Sequence, residues 1–343
     1  MKNVYIASLP TERMAEFQPP HAQCDTPVRK RNLCLLLASI GSLFILSTLV
    51  LVDPYASSDH VRIFNAHVVY ATGCNDAYLK ADRVERFGAM SHARLQCTQQ
   101  WWQGVGPTAF RDELDCEDAR LFFWKGQTCW TCQAPTRCFP FSSHICAVSM
   151  QMRCNGTHRT QLYSKGLQLQ TNEKNWMPFE GLKGELFMVY SVAPYLTVLH
   201  CDPPQPCEIV FRSTQPYDHA IRGGSAGLEI AKGHHLFMGH VLSSDGLYQA
   251  VLLEIKEGPM ITFELSRLSS PFTLMHVDGF VYPHGIGFAD AEHQNVLISM
   301  GINDNERWVA QVPLRLMLQN DEAELRAAIR TTARQLRNTP NHG

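Results

Sequence analysis

The chain has 343 residues, 45% of them hydrophobic and 18% charged, with a formal net charge of −2. That length supports one sizeable folded domain or two small ones. A near-neutral balance with no basic stripe interleaved with aromatics argues against nucleic-acid binding.

Residues 1–32 carry Pro10, Pro19, Pro20 and Pro27 without helical periodicity, which predicts a flexible tail. Residues 33–52 then form a run of 20 without charge, proline or side-chain amide. At helical rise this covers about 30 Å, the thickness of a bilayer's hydrocarbon core. Arg29, Lys30 and Arg31 precede the run and Asp53-Pro54 follows it. The positive-inside bias therefore places residues 1–32 in the cytosol and the bulk of the chain in the lumen. The alternative, a cleaved signal peptide, has a shorter apolar core nearer the N-terminus. The short span with Ser39, Gly41, Ser42, Ser47 and Thr48 in it suits a thin endoplasmic-reticulum or Golgi membrane. Residues 53–59 read as a stem.

Of the 12 cysteines, Cys24 lies in the tail and Cys34 in the span. Cys74, Cys97, Cys116, Cys129, Cys132, Cys138, Cys146, Cys154, Cys201 and Cys207 follow the span, an even set that predicts structural disulfides in an oxidising compartment. Cys129-Trp-Thr-Cys132 has the spacing of a redox or zinc pair, but no matched second pair accompanies it. Asn155-Gly156-Thr157 is a glycosylation sequon on the expected lumenal side.

From residue 60 to about 320 the apolar residues come in short β-rich runs separated by turn signals. These runs are Ala66–Tyr70, Leu121–Trp124, Leu186–Tyr190, Leu236–Met238 and Val296–Ile298. No strand–glycine turn–helix unit of a nucleotide-binding fold occurs, and the class is all-β. A degenerate repeat runs through the region, each copy a polar cluster, a turn and a strong strand. The copies start near Arg62, Glu117, Glu173, Arg222 and Tyr282, at intervals of 55, 56, 49 and 60 residues. Strand repeats of that size are what propeller blades produce, and they bring equivalent clusters to one end of a central channel. Residues 321–343 end the chain as a helix and tail, with Leu325, Ala328 and Ile329 at helical spacing.

Three clusters carry candidate chemistry. Glu117-Asp118-Ala119-Arg120 pairs carboxylates with a guanidinium that can tune a general acid or base, although such clusters are also common on solvated surfaces. Glu173-Lys174-Asn175-Trp176 offers donors for sugar hydroxyls or phosphate, and Trp176 is either a stacking platform for a pyranose or a core residue. Arg222-Gly223-Gly224-Ser225 combines a cation with glycines that let backbone amides approach a ligand; the plainer reading is a turn. His240 ends a strand and is better placed for a site than His234 or His235.

These clusters, with His240, Tyr282-Pro283-His284-Gly285 and Gly301-Ile302-Asn303-Asp304 following in order, resemble the five-bladed β-propellers that act on β-mannosides. That clan comprises mannoside phosphorylases and their glycosyltransferase relatives, and the Glu173–Phe179 segment is closer still to its eukaryotic glycosyltransferase-like branch. The resemblance covers about residues 60–315. It implies that Asp118 is the general acid or base, with Glu117 beside it. It also gives Arg120, Lys174, Asn175 and Arg222 binding roles toward sugar and phosphate, and Glu173, Trp176, Gly223, Gly224, His240, His284 and Asp304 complete the candidate substrate-binding set. Ala119 departs from the proline of the family motif, and the cysteine-rich stretch from Cys129 to Cys154 reads as a stapled insertion between blades.

The expectation is an anchored secretory-pathway glycosyltransferase with a lumenal five-bladed propeller. It moves a hexose, mannose being the first candidate, from an activated sugar donor to a glycan acceptor. No Asp-x-Asp motif occurs, so no divalent ion or other cofactor is required, although Asp118 and Asp304 can join one. The alternatives are a β-mannosidase or phosphorylase, with Glu117, Glu173 or Asp304 as second carboxylate, and a non-catalytic sugar-binding module.

Overall fold

A computed structural model describes residues 61–71, 77–86, 92–98, 111–114, 117–138, 146–154, 160–164, 166–167, 175–217, 220–303, 306–319 and 321–336. Side chains are described in 118–133, 150–154 and, from Thr160 on, throughout those ranges. The expected tail, span and stem lie outside the described residues. Among the described residues no helix is long and apolar enough to cross a membrane.

Long apolar runs broken by glycine turns leave the backbone one economical solution, antiparallel ladders buried on both faces. The described strands form five four-stranded sheets, each with its strands in chain order, in an all-β, propeller-like fold. The first sheet holds β1 (Val61–Ala71), β2 (Ala77–Arg86), β3 (His92–Thr98) and β4 (Arg111–Leu114). The second holds β5 (Glu117–Trp124), β6 (Gln127–Cys138), β7 (Cys146–Cys154) and β8 (Thr160–Gln161). The third holds β9 (Met177–Glu180), β10 (Leu186–Ser191), β11 (Thr197–Cys201) and β12 (Glu208–Arg212). The fourth holds β13 (Leu228–Ala231), β14 (His234–Leu242), β15 (Tyr248–Gly258) and β16 (Thr262–Leu268). The fifth holds β17 (Val281–Phe288), β18 (Asn295–Ile302), β19 (Glu306–Pro313) and β20 (Arg334–Gln335). The described parts of the polar clusters, at Arg62, Glu117–Arg120, Asn175-Trp176, Arg222–Ser225 and Tyr282–Gly285, fall at or just before the first strand of each sheet.

The period of two along each strand divides the side chains between two cores. In β10, Leu186 and Met188 pack with Phe122, Met152 and Trp176 on the side of the second sheet. Phe187 and Val189 face the other way, toward Phe237 and Leu253 of the fourth sheet. Leu236 and Met238 of β14 in turn meet Ile286, Val296 and Ile298 of the fifth sheet. An uninterrupted Leu-Phe-Met-Val run is therefore what a strand between two neighbouring sheets needs.

Two helices interrupt the fifth sheet before its last strand, α1 (Leu314–Leu318) and α2 (Glu322–Thr332). Asp321 caps α2 by accepting a hydrogen bond from the Glu324 amide at 3.0 Å, and Leu325 and Ile329 enter the core of the fourth and fifth sheets. The short strand β20 pairs with β19, and Leu336 exchanges hydrogen bonds with buried Arg307.

Among the described residues, disulfides join Cys129 to Cys154 and Cys201 to Cys207. Cys129 and Cys132 are thus not bonded to each other, and Cys132 is disulfide-bonded elsewhere. The cysteine-rich stretch is not an insertion. Its two arms are β6 and β7, and Cys129 and Cys154 are register partners on adjacent strands, 4.0 Å apart at Cα.

Candidate functional site

The entry into β5 is irregular. Its register against β6 shifts between Glu117 and Arg120, and Asp118 there has φ 50°, in the left-handed region that aspartate tolerates better than most residues. The half-buried Asp118 carboxylate accepts a hydrogen bond from the Gln133 side-chain amide at 3.3 Å. A proline at 119 would crowd the backbone of Asp118 and favour an extended conformation. Ala119 is therefore compatible with the bulge that aims Asp118.

Arg120 is fully buried. Its Nε donates to the Gly224 carbonyl at 2.5 Å, Nη2 to Asn175 Oδ1 at 2.9 Å and Nη1 to the Asp118 carbonyl at 3.3 Å. One guanidinium thus ties together segments at the entrances of the second, third and fourth sheets. A buried arginine is tolerable only when its donors are matched this way. The expectation that Arg120 grips substrate is corrected on this ground, because its hydrogen bonds go to the protein and it organises the site from beneath.

Close backbone approach explains the glycines. A side chain on Gly223 would collide with the Asn175 carbonyl, and a Cβ on Gly224 would stand 2.5 Å from the Met238 carbonyl and 3.5 Å from that of Pro283. Asn175 sits at φ 69°, and Ser225 Oγ accepts from the Met238 amide at 2.8 Å. Arg222 and His240 form a two-way backbone bridge at 2.8 and 2.9 Å. The Arg222 side chain itself is exposed and has no hydrogen-bond or ion-pair partner among the described residues. Asp118, Asn175, the Arg222–Ser225 turn, His240 and Pro283 are thereby linked in one region.

Trp176 requires a second correction. It is fully buried among Leu186, Met188 and Tyr190, edge-to-face with the Tyr190 ring at 5.5 Å, and offers no face to a sugar. His240 and His284 are also nearly enclosed, 3% and 1% exposed, with Tyr282 beside both. Glu173, Lys174, Asp304 and Asn155 lie outside the described residues. Glu117 is placed in β5 by its backbone alone. Gln133 is the site residue that no local motif signals. Counting back from the Trp124–Gln127 pair at the hairpin brings it opposite this cluster, which is the one clue the sequence holds.

No family model matches the chain, and no curated protein matches it. Solved structures resemble it at low identity. A GDP-Man-dependent mannosyltransferase from Leishmania mexicana is 13% identical over 74% of this chain and 85% of that one, with TM-score 0.49. A hypothetical protein from Leishmania major is 12% identical over 81% and 96%, with TM-score 0.48. An alpha-L-arabinofuranosidase from Lactobacillus brevis is 11% identical over 74% and 90%, with TM-score 0.44. At such identities and scores the likeness says nothing of what this chain does.

Proposed function

We propose that the chain is a carbohydrate-active enzyme, a glycosyltransferase that moves a hexose from an activated sugar donor to a glycan acceptor. In this reading the five sheets are the blades of one ring and the site lies at its mouth. The observation that carries it is the Arg120 clamp, which holds the entrances of three sheets together beside a carboxylate aimed by a left-handed bulge. Asp118 takes the proton of the acceptor hydroxyl as that oxygen attacks the anomeric carbon. Exposed Arg222 meets the phosphate charge that grows on the leaving group. Lys174 is assigned to the same phosphate from the sequence.

The test is a panel of nucleotide-activated hexoses and oligosaccharide acceptors offered to the full-length chain. Asp118→Asn is expected to lower transfer by roughly 10²–10⁴-fold, the range of a lost general base, with the unfolding midpoint unchanged. Full activity in that variant defeats the assignment. Release of sugar from β-mannosides without an activated donor, with water or inorganic phosphate as acceptor, would instead place the chain among hydrolases or phosphorylases.

The membrane arrangement is proposed on residues 29–54 alone: a cytosolic tail, one span and the sheets in the lumen of the endoplasmic reticulum or Golgi. In sealed microsomes the sheets are then protected from added protease, and an Asn155→Gln variant loses its endoglycosidase-sensitive mass. Digestion of the sheets in intact vesicles overturns it.

A further inference from the structure

With Trp176 in the core, the site lacks the flat surface expected of it, and a different group of rings adjoins His240, the backbone partner of Arg222. Tyr248 opens β15, Phe280 precedes β17 and Tyr282 lies within it. The Tyr248 and Tyr282 centroids are 5.1 Å apart at 89°, and Tyr248 lies 5.8 Å from Phe280 at 61°. Buried His240 backs both tyrosines at 5.5 and 5.0 Å. All three outer rings are half-exposed. The wall is continuous with the site through the backbone, because His240 is bridged to Arg222 and Pro283, next to Tyr282, faces Gly224. Asn303 fixes its rim, accepting from the Phe280 amide at 2.9 Å and donating to the Asp278 carbonyl at 2.9 Å.

We infer that Tyr248, Phe280 and Tyr282 form a subsite for a pyranose ring, the unit of the glycan adjoining the one whose bond is made; this rests on the functional reading above. The electron-rich face of an aromatic ring attracts the polarised C–H bonds on one side of a sugar, while a phenolic hydroxyl bonds the sugar's edge. The Tyr248 hydroxyl has no hydrogen-bond partner among the described residues. The rings meet edge-on, at 60° to 89°, and leave no parallel slot into which a flat nucleobase would slide. A rigid aromatic wall also loses little side-chain freedom on binding, so its contact area converts to affinity with small entropic loss.

The experiment titrates the full-length protein with mannobiose, cellobiose and guanosine monophosphate, following saturation transfer to each and the dissociation constant. At least one disaccharide is expected to bind. Tyr248→Ala should weaken that binding about tenfold, the worth of one aromatic contact, and Tyr248→Phe should restore most of it. Asp118→Asn should bind the disaccharide like the wild type, yet, once an activated hexose donor is added, transfer to it roughly 10²–10⁴-fold more slowly. Disaccharide binding that is unchanged in both Tyr248→Ala and Phe280→Ala overturns the subsite and leaves the functional reading standing. Loss of nucleotide binding alone in Tyr248→Ala also overturns it, in favour of a nucleobase platform. If the wild type binds neither disaccharide and transfers no hexose, the functional reading itself fails.

Discussion

Arg120 shows how much a single side chain holds. Replacing it with methionine keeps most of the volume but leaves the Gly224 carbonyl and Asn175 Oδ1 without their donors in a buried place. The expected loss is about 3 kcal/mol, in the range for breaking a buried charged network, read as a shift of the urea midpoint. Arg120→Lys should not rescue it, since one ammonium cannot reach the three acceptors a planar fork serves. The sequence exposes the cluster because three charged residues, Glu117, Asp118 and Arg120, lie within four positions directly before an apolar run. It does not expose that Arg120 is fully buried while Asp118 stays half-buried, because that division comes from a bulge whose register depends on β6. Trp176 reads equally as platform or core until its neighbours on β10 are known, and burial decides for the core.

At the scale of elements, strand patterns were legible wherever a run is buried on both faces. The Leu186–Tyr190 and Val296–Ile298 runs fall within β10 and β18 because each side chain has a neighbouring sheet to pack against. The turns are equally plain. Lys125 and Gly126 take φ 52° and 70°, the pair of left-handed residues a two-residue hairpin needs. What could not be read was the return of the chain after α2 to supply β20, since a two-residue strand has no pattern of its own and is defined by its partner β19. The helix before it is anchored at its start. Asp321→Ala removes the bond to the Glu324 amide and should cost about 1 kcal/mol, seen as a lower thermal midpoint. Asp321→Asn or Asp321→Ser should recover most of that.

At the scale of the whole molecule the sheets are joined by packed apolar faces, and one of those faces contains a base. His235 of β14 is 2% exposed, with its ring 4.8 Å from Phe179 of the third sheet and 6.4 Å from Phe237. Burial, and secondarily the neighbouring His234, lowers its pKa to about 4. In the unfolded chain the same imidazole takes up a proton near the ordinary value of about 6.5. Above that pH neither state is protonated and the contribution to stability is complete. Between 6.5 and about 4 the unfolded state binds more protons, so stability falls as the pH falls, levelling off below the native value. Two and a half pH units set a ceiling of about 3 kcal/mol on the loss. His235→Phe, which keeps a ring between Phe179 and Phe237, should remove that slope and leave the part due to carboxylates. Unfolding free energies from urea titrations at pH 7 and pH 4.5 should therefore draw closer in the variant by about 2 kcal/mol. An unaltered gap would mean that His235 already carries its proton in the native protein, and that the core between the third and fourth sheets admits water.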